Sequence, residues 1–378
     1  MKVGLVIDDH MARPGGVQEY VRGLYRYLIQ HDHQAVIFSS AGGAPADDLR
    51  LVPIGTPLPF TGSGSSTSIP LTLASSRQLR RLLCHEACDV LHVMAPYSPT
   101  LSGRLLMQSQ ALHVLTFHVA TEPGLRRMVL GALAKLQYRS LRRVDGRIAV
   151  SATAAATGRA FYGGDYHLIP NGVDLAHWAS AAAPRLSRGE ASVKVLYIGR
   201  LEHRKGVRYL IQAFAHLQQQ YPALQLIIGG DGPERESLER LVDQLGLEHV
   251  QFLGYVSTSD LPGLLSSADI FCAPATQKES FGIVLIEAFA AGLPVVAAAN
   301  EGYAALLAAH PGNLLVPPAN ARALAGALAT LVEQPEYRRR VGQRNHEAAK
   351  QYDWQVVGGE IVVFYEHLLA VRAASPTS

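Results

Sequence analysis

Short apolar runs alternate with helical patterns along the whole chain, and midway the alternation starts afresh. Lys2–Ile7 reads as a buried strand, Val17–Gln30 as a helix and Gln34–Phe38 as a second strand. Val90–Val93, His113–Thr116, Arg147–Val150 and His167–Ile169 read as later strands, with helical patterns between most of them. The rhythm restarts with Val193–Ile198, followed by Val207, Leu210, Ile211, Phe214 and Leu217 at helical spacing. Leu224–Ile228, Val250–Leu253, Asp269–Cys272 and Val295–Ala298 are further strands, and helices near 320–334, 336–350 and 355–371 close the chain. Runs this short and this apolar fit strands buried on both faces, and strand–helix alternation fits a parallel sheet covered by helices. The expectation is α/β: two facing doubly wound, Rossmann-like domains, residues 1–184 and 185–354, with an interdomain cleft. Ligands of such sheets sit outside the carboxyl ends of the strands, which makes the cleft the expected site.

Two segments break the pattern. Residues 41–76 are rich in Gly, Pro, Ser and Thr and read as a loop of the kind that forms substrate lids. Ala179–Ser192 is small, polar and aperiodic, and reads as the interdomain linker. At 48% hydrophobic and 17% charged, 378 residues supply two full cores, which excludes a disordered chain. No apolar run approaches the roughly 20 residues of a membrane span. Asp8 and Asp9 follow the first apolar run at once, unlike a signal peptide. Three cysteines make no disulfide framework, which favours a reducing, cytoplasmic setting. Cys84 and Cys88 read as two small residues on one buried helix face.

The net charge of +3 is uneven. Residues 1–184 hold 17 Lys and Arg against 12 Asp and Glu, and the excess gathers between Arg77 and Arg147. Such an excess suits a phosphate or an anionic membrane, or is simply a solvated surface. Leu79, Leu82 and Leu83 beside Arg77, Arg80 and Arg81 form an amphipathic face. It fits peripheral membrane contact, or equally a core-facing helix with a basic outer side.

Several phosphate motifs are absent. There is no Walker-type G-x-x-x-x-G-K-[ST], and Gly230-Asp231-Gly232 lacks the third glycine of a dinucleotide fingerprint. No D-x-D pair occurs, which argues against a nucleotide sugar held through a metal on two aspartates. No metal or other cofactor is expected, and nucleic acid is not an expected partner.

Four motifs remain. Gly15-Gly16-Val17 follows Pro14 at the start of the first helix, where free N–H groups suit a phosphate, though an ordinary turn has the same look. Gly199-Arg200-Leu201-Glu202-His203-Arg204-Lys205-Gly206 follows the first strand of the second half, and from it Arg200 and Lys205 can reach one anion. Glu279-Ser280-Phe281-Gly282-Ile283 leads into a helix carrying Glu287; Ser280 and Gly282 suit a helix start. Glu279 would point into the cleft, and the backbone of Phe281, Gly282 and Ile283 could meet phosphate or sugar oxygens. A carboxylate within Ile-Val-Leu-Ile-Glu-Ala-Phe is costly unless partnered, so Glu287 holds either ribose hydroxyls or a structural ion pair. His118, in Thr116-Phe117-His118, ends a strand and faces the cleft or serves as a satisfied core histidine.

In this order and separation, the G-R-L-x-x-x-K-G and E-x7-E stretches resemble the retaining glycosyltransferases of family 4, which have the GT-B fold. The resemblance covers nearly the whole chain and is closest to phosphatidylinositol mannosyltransferases. Gly15–Gln18, Asp89–His92, Thr116–His118, Gly146–Ser151, Ile169–Asp174, Glu279–Glu287 and Tyr352–Trp354 carry it. It implies mannose transfer from GDP-mannose to a lipid or polyol hydroxyl such as that of phosphatidylinositol, peripherally at the inner face of the membrane. Gly15 and Gly16 would meet the donor pyrophosphate, which Arg200 and Lys205 would neutralise. Glu279 would bind the donor sugar beside Ser280–Ile283, Glu287 the ribose, and Gly254, Tyr255 and Val256 the base. Gln18, Tyr97 and His118 would lie on the acceptor side, with His118, Arg200, Lys205 and Glu279 as the catalytic set. The last helix, 355–378, would cross back onto the first domain. Departures fall on the acceptor side, at Val93–Ser98, at Val119, Ala120 and Glu122, and in the sparse Arg77, Arg80 and Arg81. Alternatives are a UDP- or ADP-sugar donor with another acceptor, or a sugar-nucleotide epimerase.

Overall fold

The computed structural model describes residues 1–13, 15–40, 49–62, 65–71, 74–120, 137–180, 192–277 and 279–374. The expectations for Pro14, Glu122 and most of 179–192 lie outside these residues. The chain divides into two compact units, Met1–Gly172 with Trp354–Ser378, and Val173–Asp353.

The first unit is built on a parallel sheet. Its strands are β1 (Lys2–Ile7), β2 (Gln34–Ser39), β3 (Leu51–Pro53), β6 (Val90–Ala95), β7 (Leu112–Phe117), β8 (Gly146–Ala149) and β9 (His167–Leu168), and its order is β3-β2-β1-β6-β7-β8-β9. In β6 and β7 every residue is buried, so covering helices on both faces remove the need for alternation. The order reverses between β1 and β6, where Val3 lies opposite Val90 and Leu5 opposite His92. The first helix, Gly16–Gln30, buries Tyr20, Val21, Leu24 and Leu28 against this sheet. The last helix, Trp354–Ala374, adds Val357, Ile361 and Tyr365, spaced four apart on one face, to the same core. The two helices approach closely, since a Cβ on Gly23 would lie 2.0 Å from the Trp354 ring.

The second unit carries β10 (Lys194–Ile198), β11 (Gln225–Gly229), β12 (Val250–Gly254), β13 (Ile270–Ala273), β14 (Val295–Ala298) and β15 (Leu314–Val316). All pairings are parallel, in the order β12-β11-β10-β13-β14-β15, so the reversal falls between β10 and β13. Val195, Leu210, Phe214, Leu226, Ile270 and Leu328 are fully buried in its core.

The structure corrects several expectations. Residues 41–76 are not one irregular loop. Leu51–Pro53 adds a strand beside β2, and β4 (Thr56–Gly62) and β5 (Ser65–Leu71) form an antiparallel hairpin. Thr, Ser and Ile suit such a ribbon, and its prolines are tolerated because neither strand has a second neighbour among the described residues. Ala179 and Ser180 do not belong to an aperiodic linker; they end the short helix Leu175–Ser180. Cys84 is exposed, and Cys88 lies beyond the end of the helix Ser76–Glu86. Of that helix's apolar side, Leu79 is buried and Leu82 and Leu83 are half-buried, while Arg77, Arg80 and Arg81 are exposed. Among the described residues, no helix is long and apolar enough to cross a membrane.

Candidate functional site

In the second unit the loops that leave β10 and β13 meet at the reversal of strand order. They are sewn together by backbone: Thr276 N and Oγ1 both donate to the Arg204 carbonyl, at 2.8 and 3.2 Å. Gly206 allows this contact. It sits at φ +68° as the helix Val207–Gln218 begins, and a Cβ there would lie 2.2 Å from the Pro274 carbonyl. A second close approach seats Glu279. A Cβ on Gly302 would come within 2.2 Å of the Glu279 carbonyl oxygen.

This arrangement gathers three cations and two carboxylates. Lys205 Nζ and Arg204 Nη1 both donate to Glu279 Oε1, at 2.8 and 2.9 Å. Arg204 Nε donates to Glu202 Oε2 at 3.0 Å. Arg200 lies 3.2 Å from Glu202 Oε1, but not along a hydrogen-bond direction, so that buried oxygen lacks a hydrogen-bond partner among the described residues. Arg200 is 48% exposed and Lys205 16%, so Arg200 is the outermost cation. The cluster's formal charge is positive by one, which suits an anion.

Glu202 and Arg204 were not among the residues singled out from sequence. Their signal was the run Arg200-x-Glu202-x-Arg204-Lys205, whose alternating signs foretell a paired network. The Glu279 carboxylate is held by Arg204 and Lys205 through Oε1. Of the two residues suited to a helix start, Gly282, at φ +101°, takes the cap position of Ile283–Ala290. Phe281 is buried, its ring edge-on to that of Tyr352 with centroids 6.0 Å apart. Glu287 is half-buried on the same helix. Gly254 ends β12 and accepts from Gly230 N at 2.7 Å, leaving Tyr255 64% exposed beside Val256.

In the first unit, His118 follows β7, and its backbone N–H donates to Ala95 at 3.1 Å. Its ring meets the Tyr20 ring edge-on at 4.7 Å, with Nε2 3.3 Å from Met94 Sδ. Burial pushes its pKa down to about 3, so the ring is neutral near pH 7. Beneath it runs a buried polar chain. His92 Nδ1 pairs with the Tyr365 hydroxyl and Nε2 with Thr116 Oγ1, both at 2.5 Å, and Thr116 lies 3.5 Å from the Tyr20 hydroxyl. Desolvation, with His118 nearby, lowers His92 to about 3 as well.

Gly16 opens the first helix with no side-chain cap, and Gly15 is extended at φ 177°. Gln18 is buried, its Nε2 3.5 Å from Asp9. Tyr97 does not present its hydroxyl outward. The ring is buried and the hydroxyl pairs with Ser140 at 3.0 Å; desolvation raises its pKa to about 12, against a lowering by that hydrogen bond. At the carboxyl end of β1, the carboxylate of Asp8, also missed from sequence, accepts from the Ser102 backbone N–H and hydroxyl and from Ser98 N–H. It caps the helix Ser102–Gln108, and desolvation raises its carboxyl to about 6. No group of three or more His, Cys, Asp or Glu able to hold a metal ion occurs among the described residues.

Residues 14–177 match the family model described as Glycosyltransferase Family 4, and residues 183–348 that described as Glycosyl transferases group 1. The chain is 33% identical to the phosphatidyl-myo-inositol mannosyltransferase of Mycolicibacterium smegmatis, across 97% of this chain and 94% of that protein. It is 34% identical to the Mycobacterium tuberculosis protein of the same name, across 97% of both. The chain belongs to glycosyltransferase family 4. Among solved structures, Anabaena HepE in complex with UDP superimposes with a TM-score of 0.78 at 21% identity, covering 97% of this chain and all of that one. The glycosyltransferase thus has the GT-B fold, as the resemblance implied.

Proposed function

We propose that this glycosyltransferase moves mannose from GDP-mannose to an inositol phospholipid, with retention of configuration and without a metal, at the inner face of the membrane. The observation that carries this reading is the Arg200–Glu202–Arg204–Lys205–Glu279 cluster at the reversal of the second sheet. The sugar and the lipid are drawn from the names of the full-length relatives.

Glycosyl transfer breaks the bond from the sugar's anomeric carbon to the diphosphate and leaves negative charge on the departing oxygen. Cations already held in place stabilise that charge without reorganising as it develops. Arg200 and Lys205 fill this role, and Arg204, bridging Glu202 and Glu279, fixes the loop that carries them. Glu279 and the backbone of 281–283 take the donor sugar, Glu287 the ribose and Gly254–Val256 the base. The acceptor hydroxyl oxygen bonds to the anomeric carbon on the face being vacated, and its proton passes to the departing diphosphate. Neutral His118 serves as a hydrogen-bond partner to the sugar rather than as a cation.

The test is the mass of the product after incubation with GDP-mannose and phosphatidylinositol vesicles. A mannosylated lipid establishes donor and acceptor together. Release of GDP without a lipid product keeps the donor and removes the acceptor. The second reading is a UDP- or ADP-sugar donor with a soluble acceptor. It is favoured by the character of Gly254–Val256, none of which carries a charged side chain to select one base. Neither GDP nor product in the first assay, with turnover of one of those sugars, establishes it.

A further inference from the structure

The outward face of the last helix carries an apolar stripe that nothing among the described residues of this chain covers. Val356, Val363 and Val371 are 43%, 63% and 51% exposed, and Glu360 and His367 lie exposed between them. At 3.6 residues per turn these five positions fall within about 80° of one another, a single stripe about 22 Å long. Beside it a groove of about 550 Å³ opens between the last helix and β9, lined by Leu168, Ile169, Val363 and Phe364 with Glu360 and His367. Leu168 is 56% exposed there, on the terminal strand of the sheet.

We propose that this face docks against the same face of a second copy of the chain, the two last helices running antiparallel about a two-fold axis. The stripe is self-complementary about the point midway between residues 363 and 364. Turning one helix end for end about that point sets Val356 opposite Val371, Glu360 opposite His367, and Val363 opposite Phe364. An isologous interface requires this kind of reciprocity, in which each contact occurs twice. Each Glu360 carboxylate then accepts from a His367 ring N–H of the other copy, and each Val363 enters the partner's groove beside Phe364 and Leu168. The spacing 356, 360, 363, 367 is the alternation of fours and threes by which paired helices interlock. An anionic lipid surface fits the stripe poorly. Its charged members are Glu360 and the flanking Glu366, and the first Lys or Arg after Lys350 is Arg372, which donates to the Gln110 carbonyl.

The patch is at the small end of specific interfaces, so association is expected to depend on concentration. Sedimentation velocity of the full chain, from about 1 to about 300 μM, should show a monomer–dimer equilibrium, a range in which weak specific contacts saturate. Val363→Asp, at an exposed position, should leave the circular dichroism unchanged and remove the dimer. Glu360→His and His367→Glu each set like groups opposite one another and should weaken the dimer about tenfold. The double change restores unlike pairs and should recover it. A wild-type monomer at the highest concentration overturns the proposal. So does a dimer that survives Val363→Asp, or a double variant as weak as the singles. Vesicle or foreign-protein binding through Val363 by a chain that remains monomeric would also overturn it.

Discussion

Acidification should unfold the first unit through His92 and His118. Both rings are buried with pKa values near 3, against an ordinary value of 6.5 when unfolded. The folded state keeps them neutral, and below pH 6.5 the unfolded chain takes up protons that the folded chain refuses. Stability is therefore full above 6.5 and falls as pH drops towards 3. At pH 5 the unfolded histidine is favoured by about 2 kcal/mol, so the two together withdraw about 4 kcal/mol. Asp8 acts in the opposite sense. Its folded pKa of about 6 lies above the ordinary 3.8, so it is protonated earlier in the folded state. At pH 5 it returns about 1 kcal/mol, and the three groups leave a net loss of about 3 kcal/mol. The protein has two tryptophans, Trp178 and Trp354, and Trp354 packs against Tyr20 in the first unit's core. A Trp178→Phe background thus makes fluorescence report that unit alone. Urea midpoints between pH 7 and 5 would be compared with those of His92→Asn in the same background. The variant starts less stable because Tyr365 and Thr116 lose their partner, but its pH slope should be shallower, by about 2 kcal/mol over the interval. Parallel slopes would refute the argument, because they would mean that His92 takes up its proton in the folded state too.

Three further outcomes concern the site. Arg200→Ala should lower kcat/KM about 10- to 150-fold, the worth of one charge-assisted hydrogen bond, with little change in melting temperature because the side chain is half exposed; unchanged turnover removes it from the donor site. Gly302→Ala must push the Glu279 carbonyl away from its 2.2 Å approach, and should reduce activity more than stability in a paired rate and melting measurement. The exposed Arg77, Arg80 and Arg81 should bring the protein up with anionic vesicles in a flotation gradient and release it as salt rises; absence from the floating fraction at low salt rejects peripheral attachment through this helix.

Most of the sheet strands were readable as apolar runs because parallel strands covered on both faces need no polar positions. β1 and β14 were read to the residue, and most others within one or two. β3, β4, β5 and β15 were missed. β3 and β15 are three residues long, too short for a period, and the hairpin's proline, serine and threonine content reads equally well as loop. Tyr97 illustrates the limit on the site. Its place after a strand was legible, but a partner 43 residues away at Ser140 turns its hydroxyl inward.

The local sequence determined that there are two alternating halves, where their strands run, and which loops carry charge. It was enough to single out Arg200, Lys205 and Glu279 and to mark the family. Only tertiary structure decided how those charges are spent. Arg204 and Glu279 are 75 residues apart and meet because β10 and β13 are neighbours across the reversal of the sheet. Strand order is set by the packing of whole elements, so no local pattern encodes it, and the ion pairs it creates cannot be read from spacing. The same holds for His92 and Tyr365, 273 residues apart, which meet only because the last helix packs into the first unit.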